Sequence, residues 1–451
     1  MSNKALLLDL YELTMAQAYF AYKPRTMATF DLLVRKLPAN RAYLVACGLA
    51  DILSYIKHLK FGKEDLGYLK GLKLFSGVFL SYLAQFRFRG DIWAMPEGTI
   101  FFPGEPVLRV TAPIIEAQII ESFLLNTVNL QTMIASKAAR VVLAADGRSV
   151  FDFSLRRTHG AEAGLKVARS SYIAGFSGTA TVEAGRLYGI PVAGTMAHSF
   201  VMSFKQEIDS FLAYSQIFPE QTILLVDTYD VKKGIQNAIA TGLYLKDQGY
   251  RLSGIRLDSG DIVAWSKLAR KMLDAAGLKY VRIFASGNLD EFRIKELLQK
   301  GARVDSFGVG THMGSSIDAP CLDVIYKLSE VSNESGNFSP TMKLSQGKVT
   351  YPGRKQVFRL RDKLGKYLED TLALEKENIK GVPLLKKVVL KGRVIYQIPP
   401  LEKIRKKVAQ GLSGFPSGLT AVYPKYRYPV RISGRLEITR AALTKQLSKR
   451  Q

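Results

Sequence analysis

From residue 150 onward the chain alternates between short apolar runs and longer segments whose apolar residues recur every three or four positions. The short runs are Val150 to Phe153, Pro191 to Ala193, Thr222 to Val226, Gly254 to Leu257, Val281 to Phe284 and Asp305 to Val309, and their length and β-branched content predict strands. Between them, Ala161 to Gly175, Thr181 to Tyr188, Val231 to Leu245, Asp261 to Ala276 and Leu289 to Lys300 carry helical spacing. Repeated βα units predict a parallel sheet or barrel.

Every predicted strand exit is polar. The exits carry Arg156 and Arg157, Thr195 with His198, Asp227 with Asp230, Arg256 with Asp258, Ser286-Gly287-Asn288, and Gly308-Val309-Gly310-Thr311. Ligands of parallel α/β architectures gather at the carboxyl ends of the strands. One pocket accounts for such a series more economically than six separate surface loops, and its arginines suit an anionic substrate.

The flanking regions have a different rhythm. Leu6 to Tyr19 and Ala42 to His58 predict helices, while Ala28 to Val34, Phe86 to Trp93 and Val107 to Thr111 predict strands joined by Pro- and Gly-containing turns. Pro113 opens a long helical pattern, at the position where proline is favoured. Beyond Glu330 the pattern breaks into the loop-like Ser332-Asn-Glu-Ser-Gly-Asn. Short β-like runs follow at Val357 to Leu360, Val388 to Leu390 and Val394 to Tyr396, then a basic helical stretch near Ile404 to Val408. The division expected is an α+β domain over 1–112, an α/β domain over 113–330 and a smaller C-terminal region over 331–451, packed on the N-terminal domain.

Composition adds three constraints. With 451 residues, 47% of them hydrophobic, the chain can bury a large core in more than one domain. The longest apolar candidate for a membrane span, Pro113 to Ala145, is interrupted by Glu116, Glu121, Lys137 and Arg140, and the start of the chain lacks the apolar core of a signal peptide. A cytoplasmic protein is expected. Cys47 and Cys321 are too few for a disulfide framework or a structural zinc site and read as buried small hydrophobes.

The formal charge of +25 is uneven. Residues 331–451 hold 26 Lys and Arg against 8 Asp and Glu, so +18 of the +25 lies there. A solvated face, attraction of polyphosphate and attraction of nucleic acid are the readings open to it. No nucleic-acid-binding module is visible, because the cations are mixed with Val, Leu, Ile and Tyr.

Single motifs remain ambiguous alone. Gly308 to Thr311 offers backbone N–H groups to a phosphate at a late strand exit, although a plain turn has the same composition. Asp258 and Asp261 suit ribose hydroxyls or hydrated magnesium, and Asp258 or Ser259 equally suits a helix cap. His198 is one of four histidines, and a lone histidine is more often structural than catalytic.

Taken together the motifs are more specific. Leu8-Asp-Leu-Tyr11-Glu-Leu-Thr-Met, Phe151 to Arg157, Gly194-Thr-Met-Ala-His198-Ser-Phe, Val226-Asp-Thr-Tyr-Asp230, Arg256-Leu-Asp258-Ser-Gly-Asp261, Ala285-Ser286-Gly287-Asn288 and Gly308-Val-Gly310-Thr311 resemble, in order, those of nicotinate phosphoribosyltransferases. The resemblance covers roughly residues 5 to 330. It implies an irregular α/β barrel joined to an α+β domain, and a homodimer with sites at the subunit interface. The implied reaction joins nicotinate to phosphoribosyl pyrophosphate, giving nicotinate mononucleotide and pyrophosphate, with ATP hydrolysis coupled to it and Mg2+ required. This is the entry step of NAD salvage from nicotinate.

Carried over position by position, Tyr11 and Phe153 would hold the pyridine ring, and Arg256 with Thr195 would contact nicotinate, assisted by Arg156. His198 would receive a phosphoryl group from ATP. Asp258 would meet the ribose, and Ser286, Gly287, Gly308, Gly310 and Thr311 would serve the ribose and phosphate. Magnesium ligands are not indicated. A nicotinamide phosphoribosyltransferase and a nucleic-acid-binding protein built on the basic C-terminal region are the competing readings.

Overall fold

The computed structural model describes residues 4–344 and 350–449. Two compact units are present, one formed by residues 1–133 together with 321–451 and the other by 134–320. The unit boundaries differ from the composition shifts at 112 and 330 because strand pairing joins distant parts of the chain. Val324–Ser332 pairs antiparallel with Met27–Val34, and Lys386–Leu390 pairs antiparallel with Asp91–Ala94.

The first unit is built on a seven-stranded sheet. Its order runs Phe338–Pro340, Val324–Ser332, Met27–Val34, Pro106–Pro113, Asp91–Ala94, Lys386–Leu390 and Arg393–Val394. Met27–Val34 sits inside this sheet and is buried along nearly its whole length, which explains its almost unbroken apolar sequence. Its one charge, Asp31, is 2.7 Å from the buried Lys355 ammonium. A second sheet holds Val382–Pro383, Lys355–Arg361, Tyr367–Leu374 and Val430–Ile432, and the helix Leu401–Ser413 buries Ile404, Val408 and Leu412.

Local expectations here needed adjustment. The first helix is Leu10–Tyr22, the predicted strand over 86–93 is limited to Asp91–Ala94, and a two-residue strand, Leu44–Val45, precedes the helix Leu49–His58. The long pattern after Pro113 is two helices, Ile114–Ile119 and Glu121–Ala144. Cys47 is buried as expected, but Cys321 is exposed.

The second unit contains the βα repeat. Six parallel strands, Gly178–Thr179, Ser149–Asp152, Ser306–Val309, Arg282–Ala285, Gly254–Leu257 and Ile223–Leu225, lie in that order. Side chains from the outer as well as the inner strands share one cavity of about 690 Å³, so the sheet curls as a barrel does. Its two end strands are not paired with each other among the described residues, which makes the barrel irregular.

Gly254–Leu257 was predicted residue for residue, whereas Pro191 to Ala193 is no regular strand. Only an isolated bridge, Thr179 to Val192, is formed there, and the strand at that edge is Gly178–Thr179. Proline lacks the N–H that a ladder requires.

Of the charges that argued against a membrane span, Glu116, Lys137 and Arg140 are held in ion pairs. Lys137 lies 2.7 Å from Glu291 and 2.8 Å from Asp318, Arg140 lies 3.0 Å from Glu291, and Glu116 lies 2.8 Å from Arg89. No helix among the described residues is long and apolar enough to cross a membrane.

Candidate active site

At the carboxyl ends of the parallel strands, Arg256 is the hub. Its backbone belongs to Gly254–Leu257, between the strands Arg282–Ala285 and Ile223–Leu225, so its side chain meets groups from neighbouring exits. Nε donates to Ser286 Oγ at 2.8 Å, Nη1 to Thr195 Oγ1 at 2.9 Å and Nη2 to Asp258 Oδ1 at 2.5 Å. The guanidinium carbon also lies 5.7 Å from the centroid of the Phe153 ring. Four of the predicted residues, from four segments, are thereby brought to one cation.

Asp258 is shaped by the same network. Burial alone would raise its pKa, but the Ser286 hydroxyl, the Arg256 guanidinium and the nearby His198 outweigh burial and hold it below the usual carboxylate value. It is therefore an anion at neutral pH. Its amide donates to Asp227 Oδ2 at 2.9 Å, and the Ser259 hydroxyl donates to the same oxygen at 2.7 Å. Capping of the following helix falls to Asp261, which accepts from Val263 and Ala264. Asp258 and Ser259 are thus released from the capping role their positions allowed.

Asp227 and Asp230 divide in the same way. Asp230 caps Val231–Asp247 by accepting from Lys233, while Asp227 is buried against the Asp258 loop. Among the described residues Asp227 Oδ1 has no hydrogen-bond partner.

His198 opens the short helix His198–Met202. Nδ1 is 3.1 Å from Thr228 Oγ1, and Nε2 is 3.9 Å from Asp258 Oδ2. In the tautomer whose Nδ1 donates to Thr228, Nε2 would keep its lone pair, and the half-exposed ring presents Nε2 to the same side as Asp258.

The aromatic wall is specified by glycine. Phe153 stacks on Phe284 with centroids 5.6 Å apart and planes inclined by 20°. A Cβ at Gly308 would come within 2.8 Å of both rings, so the absence of a side chain there lets them meet. Gly287 has φ +88, and a Cβ would lie 2.0 Å from the Asp258 carbonyl oxygen. That close approach brings Ser286 and Asp258 together. Gly310 follows the strand Ser306–Val309, and Thr311 opens a single helical turn. Beneath Phe153 and Thr195 lies the 690 Å³ cavity.

Other expected residues fall outside this cluster. Arg156 and Arg157 sit exposed in the 3-10 turn Leu155–Arg157 and form no ion pair among the described residues. Asp152, buried just before them, accepts from the Ser154 amide and hydroxyl and from Thr179, and so fixes the turn after Phe153. Tyr11 lies in the first unit on Leu10–Tyr22, where burial and then the carboxylates of Glu121, Glu12 and Asp9 raise its pKa. Thr228 was not singled out, and Asp227 was marked with Asp230 only as a polar strand-exit residue without a role.

A magnesium ion fits the chemistry of this donor set. Asp258 is ionised, and Asp227 offers an oxygen without a partner. Among the described residues no three His, Cys, Asp or Glu side chains form a cage of their own. That arrangement suits a metal held by one or two carboxylates, with substrate phosphates and water completing its shell.

An α/β unit whose strand ends carry a hydrogen-bonded arginine, an ionised aspartate and a glycine-permitted aromatic wall is of the ligand-binding kind found at parallel strand ends. Its particular family follows from comparison with known proteins. Residues 6–129, 149–341 and 377–439 match the N-terminal domain, the main family model and the C-terminal domain of nicotinate phosphoribosyltransferase.

A nicotinate phosphoribosyltransferase of Mycobacterium tuberculosis is 48% identical over 434 residues, covering 96% of this chain and 92% of that protein. One from Bacillus subtilis is 37% identical over 455 residues, covering 94% and 92%. Among solved structures, human nicotinic acid phosphoribosyltransferase superposes with a TM-score of 0.86 at 29% identity, covering 96% of this chain and 99% of that one. The chain belongs to the nicotinate phosphoribosyltransferase family.

Proposed function

We propose that the protein is a nicotinate phosphoribosyltransferase, converting nicotinate and phosphoribosyl pyrophosphate to nicotinate mononucleotide and pyrophosphate in NAD salvage. The observation that carries this reading is Arg256, held by Ser286, Thr195 and Asp258 beside the Phe153 ring. A planar pyridine carboxylate matches a guanidinium next to an aromatic wall, through charge-assisted hydrogen bonds and stacking. Tyr11 would contact the pyridine ring, as the resemblance implies, and Arg156 would supply further positive charge to arriving anions.

The ring nitrogen forms the new bond to the anomeric carbon with its own lone pair. The bond from that carbon to pyrophosphate oxygen breaks, and its electron pair leaves with pyrophosphate. No proton has to move, which fits a site without a nucleophile-and-base pair. Positive charge grows on the sugar as the bond breaks, and ionised Asp258 would stabilise it and hold the ribose hydroxyls. Ser286, Gly287, Gly308, Gly310 and Thr311 would hold the ribose and the 5′-phosphate through hydroxyl and backbone N–H groups. Bound magnesium, with Asp227 and Asp258 as its protein ligands, would supply countercharge to the leaving pyrophosphate.

ATP coupling is part of the proposal. His198 Nε2 would attack the γ-phosphorus of ATP, forming an N–P bond as the bond to the β-phosphate oxygen breaks and ADP leaves. Water would later cleave the N–P bond, releasing phosphate. Support comes from Thr228 at Nδ1 and the accessible Nε2 edge. A homodimer in the cytoplasm completes the reading.

The test is pyrophosphate release from phosphoribosyl pyrophosphate with nicotinate or nicotinamide, each with and without ATP. Turnover should require nicotinate and rise with ATP. Equal turnover of the two pyridines would overturn the substrate assignment.

A further inference from the structure

Most of the chain's surplus positive charge lies outside the strand-end site, and part of it converges on one cleft of the first unit. This cleft, of about 450 Å³, lies among the strand Lys355–Arg361, the segment Val382 to Leu384 and the helix Leu401–Ser413. Five cations line it, Arg359, Arg361, Lys366, Lys386 and Lys407, and no Asp or Glu does.

The five are not equivalent. Arg359 is neutralised in place by Asp370, with Nε 2.8 Å from Oδ1 and Nη2 2.5 Å from Oδ2, so it belongs to the core. Lys407 is different. Its ammonium donates to the carbonyls of Pro96 and Glu97, both at 3.1 Å, and to Thr99 Oγ1 at 2.7 Å, all neutral acceptors. Burial lowers its pKa to about 8, with Glu97 opposing the shift and Arg359 adding to it. A desolvated ammonium without an ion-pair partner favours a nearby anion.

The remaining cations lie toward solvent. Lys366 donates to the Ser413 carbonyl, Arg361 packs 4.9 Å from the Tyr367 ring centroid, and exposed Lys386 has no ion-pair partner among the described residues.

We propose that this cleft is a second ligand site, which takes a small organic phosphate of nucleotide size through Arg361, Lys366 and Lys386, with the buried charge of Lys407 behind them. Size and lining choose the class. The volume is that of a small-molecule pocket and far exceeds the needs of one inorganic phosphate. Tyr367, with Val382 and Leu384, gives an apolar wall against which a base or sugar can lie. Nucleic acid would call for cations tracking along a surface, whereas these converge in one concavity. The proposal does not rest on the assignment of the strand-end site, which shares no residue with this cleft.

Lysine footprinting tests it locally. The full-length protein is acetylated at pH 8 with increasing ADP, and peptides are quantified by mass spectrometry. ADP should suppress labelling of Lys386 and Lys366 while exposed Lys57 labels as before, and Arg361→Gln should raise the protecting concentration about tenfold or more. Transferase activity without ADP should be unchanged in Arg361→Gln, because Arg361 belongs to no part of the strand-end machinery. Loss of protection in Arg361→Gln assigns the protection to this cleft, because that variant leaves the strand-end residues unchanged. The proposal is overturned by absence of protection, by protection that Arg361→Gln leaves intact, by equal protection from inorganic phosphate alone, or by protection from a single-stranded oligonucleotide but not from ADP.

Discussion

Arg256 and Asp258 stand two residues apart at one strand exit, joined through Nη2 and Oδ1 at 2.5 Å and tied together by the Ser286 hydroxyl. The cation and the anion therefore fix each other. Arg256 presents its face beside Phe153, and Asp258 stays ionised despite partial burial. Recognition of the pyridine carboxylate and of the ribosyl donor would then be coupled through a single guanidinium–carboxylate pair.

Arg256→Ala removes the proposed carboxylate reader and leaves Asp258 without its cation. Loss of a charge-assisted contact is worth about 2–3 kcal/mol, so kcat/KM for nicotinate should fall ~30- to 150-fold. Arg256→Lys should recover little of this, because an ammonium cannot serve Ser286, Thr195 and Asp258 at once in the planar fork geometry. Steady-state kinetics with circular dichroism as the folding control measures it. A lysine variant with full activity would contradict the role of the fork.

Gly308→Ala probes the aromatic wall. The new Cβ would stand 2.8 Å from both Phe153 and Phe284, in a strand paired on both sides and unable to retreat. Overpacking of this kind costs about 1–3 kcal/mol, and here displacement of Phe153 should also raise KM for nicotinate. Gly194→Ala is the control, because nothing lies within 4 Å of its added methyl. Thermal melts and KM values for both variants decide the matter, and equal behaviour of the two would show that the wall tolerates displacement.

The legibility of the sequence differed from one kind of feature to another. The βα rhythm could be read because a parallel strand buried on both faces is a compact apolar run, as in Gly254–Leu257. Gly178–Thr179 could not be read, since two residues carry no period, and Pro191 to Ala193 imitated a strand that proline prevents.

The exits announced their chemistry but not its allocation. Asp261 and Asp230 are caps while Asp258 and Asp227 face the site, and only the folded geometry separates these pairs. The pairing of Val324–Ser332 with Met27–Val34 spans most of the chain, so no local pattern could signal it.

Glu12 gives a pH prediction away from the site. Burial, with smaller contributions from Glu121 and Asp9, pushes its carboxyl up to about 8 against the favourable bonds from the Ser122 amide and hydroxyl. Its folded pKa exceeds its unfolded one. Between the ordinary glutamate value and about 8 the native state thus holds a proton that the unfolded chain has lost, and stability from this group falls as pH rises. Glu12→Gln keeps an acceptor for Ser122 and cannot ionise. Its melting temperature should decline less than that of the wild type between pH 5 and 8, and parallel curves would refute the assignment.

His198 carries the sharpest prediction. Thr228 at Nδ1 fixes the ring, Nε2 is accessible, and Asp258 Oδ2 stands 3.9 Å from it. A phosphoryl group on Nε2 would place new negative charge beside Asp258, so Arg256 and bound magnesium would be needed to balance it. That demand would order the loops that bind the ribosyl donor, which is how ATP could raise affinity without taking part in the transfer. His198→Ala should therefore lose ATPase turnover and the ATP-dependent fall in KM for phosphoribosyl pyrophosphate, yet keep a slow ATP-independent transfer. Thr228→Val, which leaves the ring in place but removes its partner, should weaken ATP stimulation by about tenfold, the scale of one lost hydrogen bond. Wild-type protein incubated with γ-labelled ATP should acquire an acid-labile label that His198→Ala lacks. Equal labelling of His198→Ala would move the role to another histidine, with His159 and His312 the first to examine.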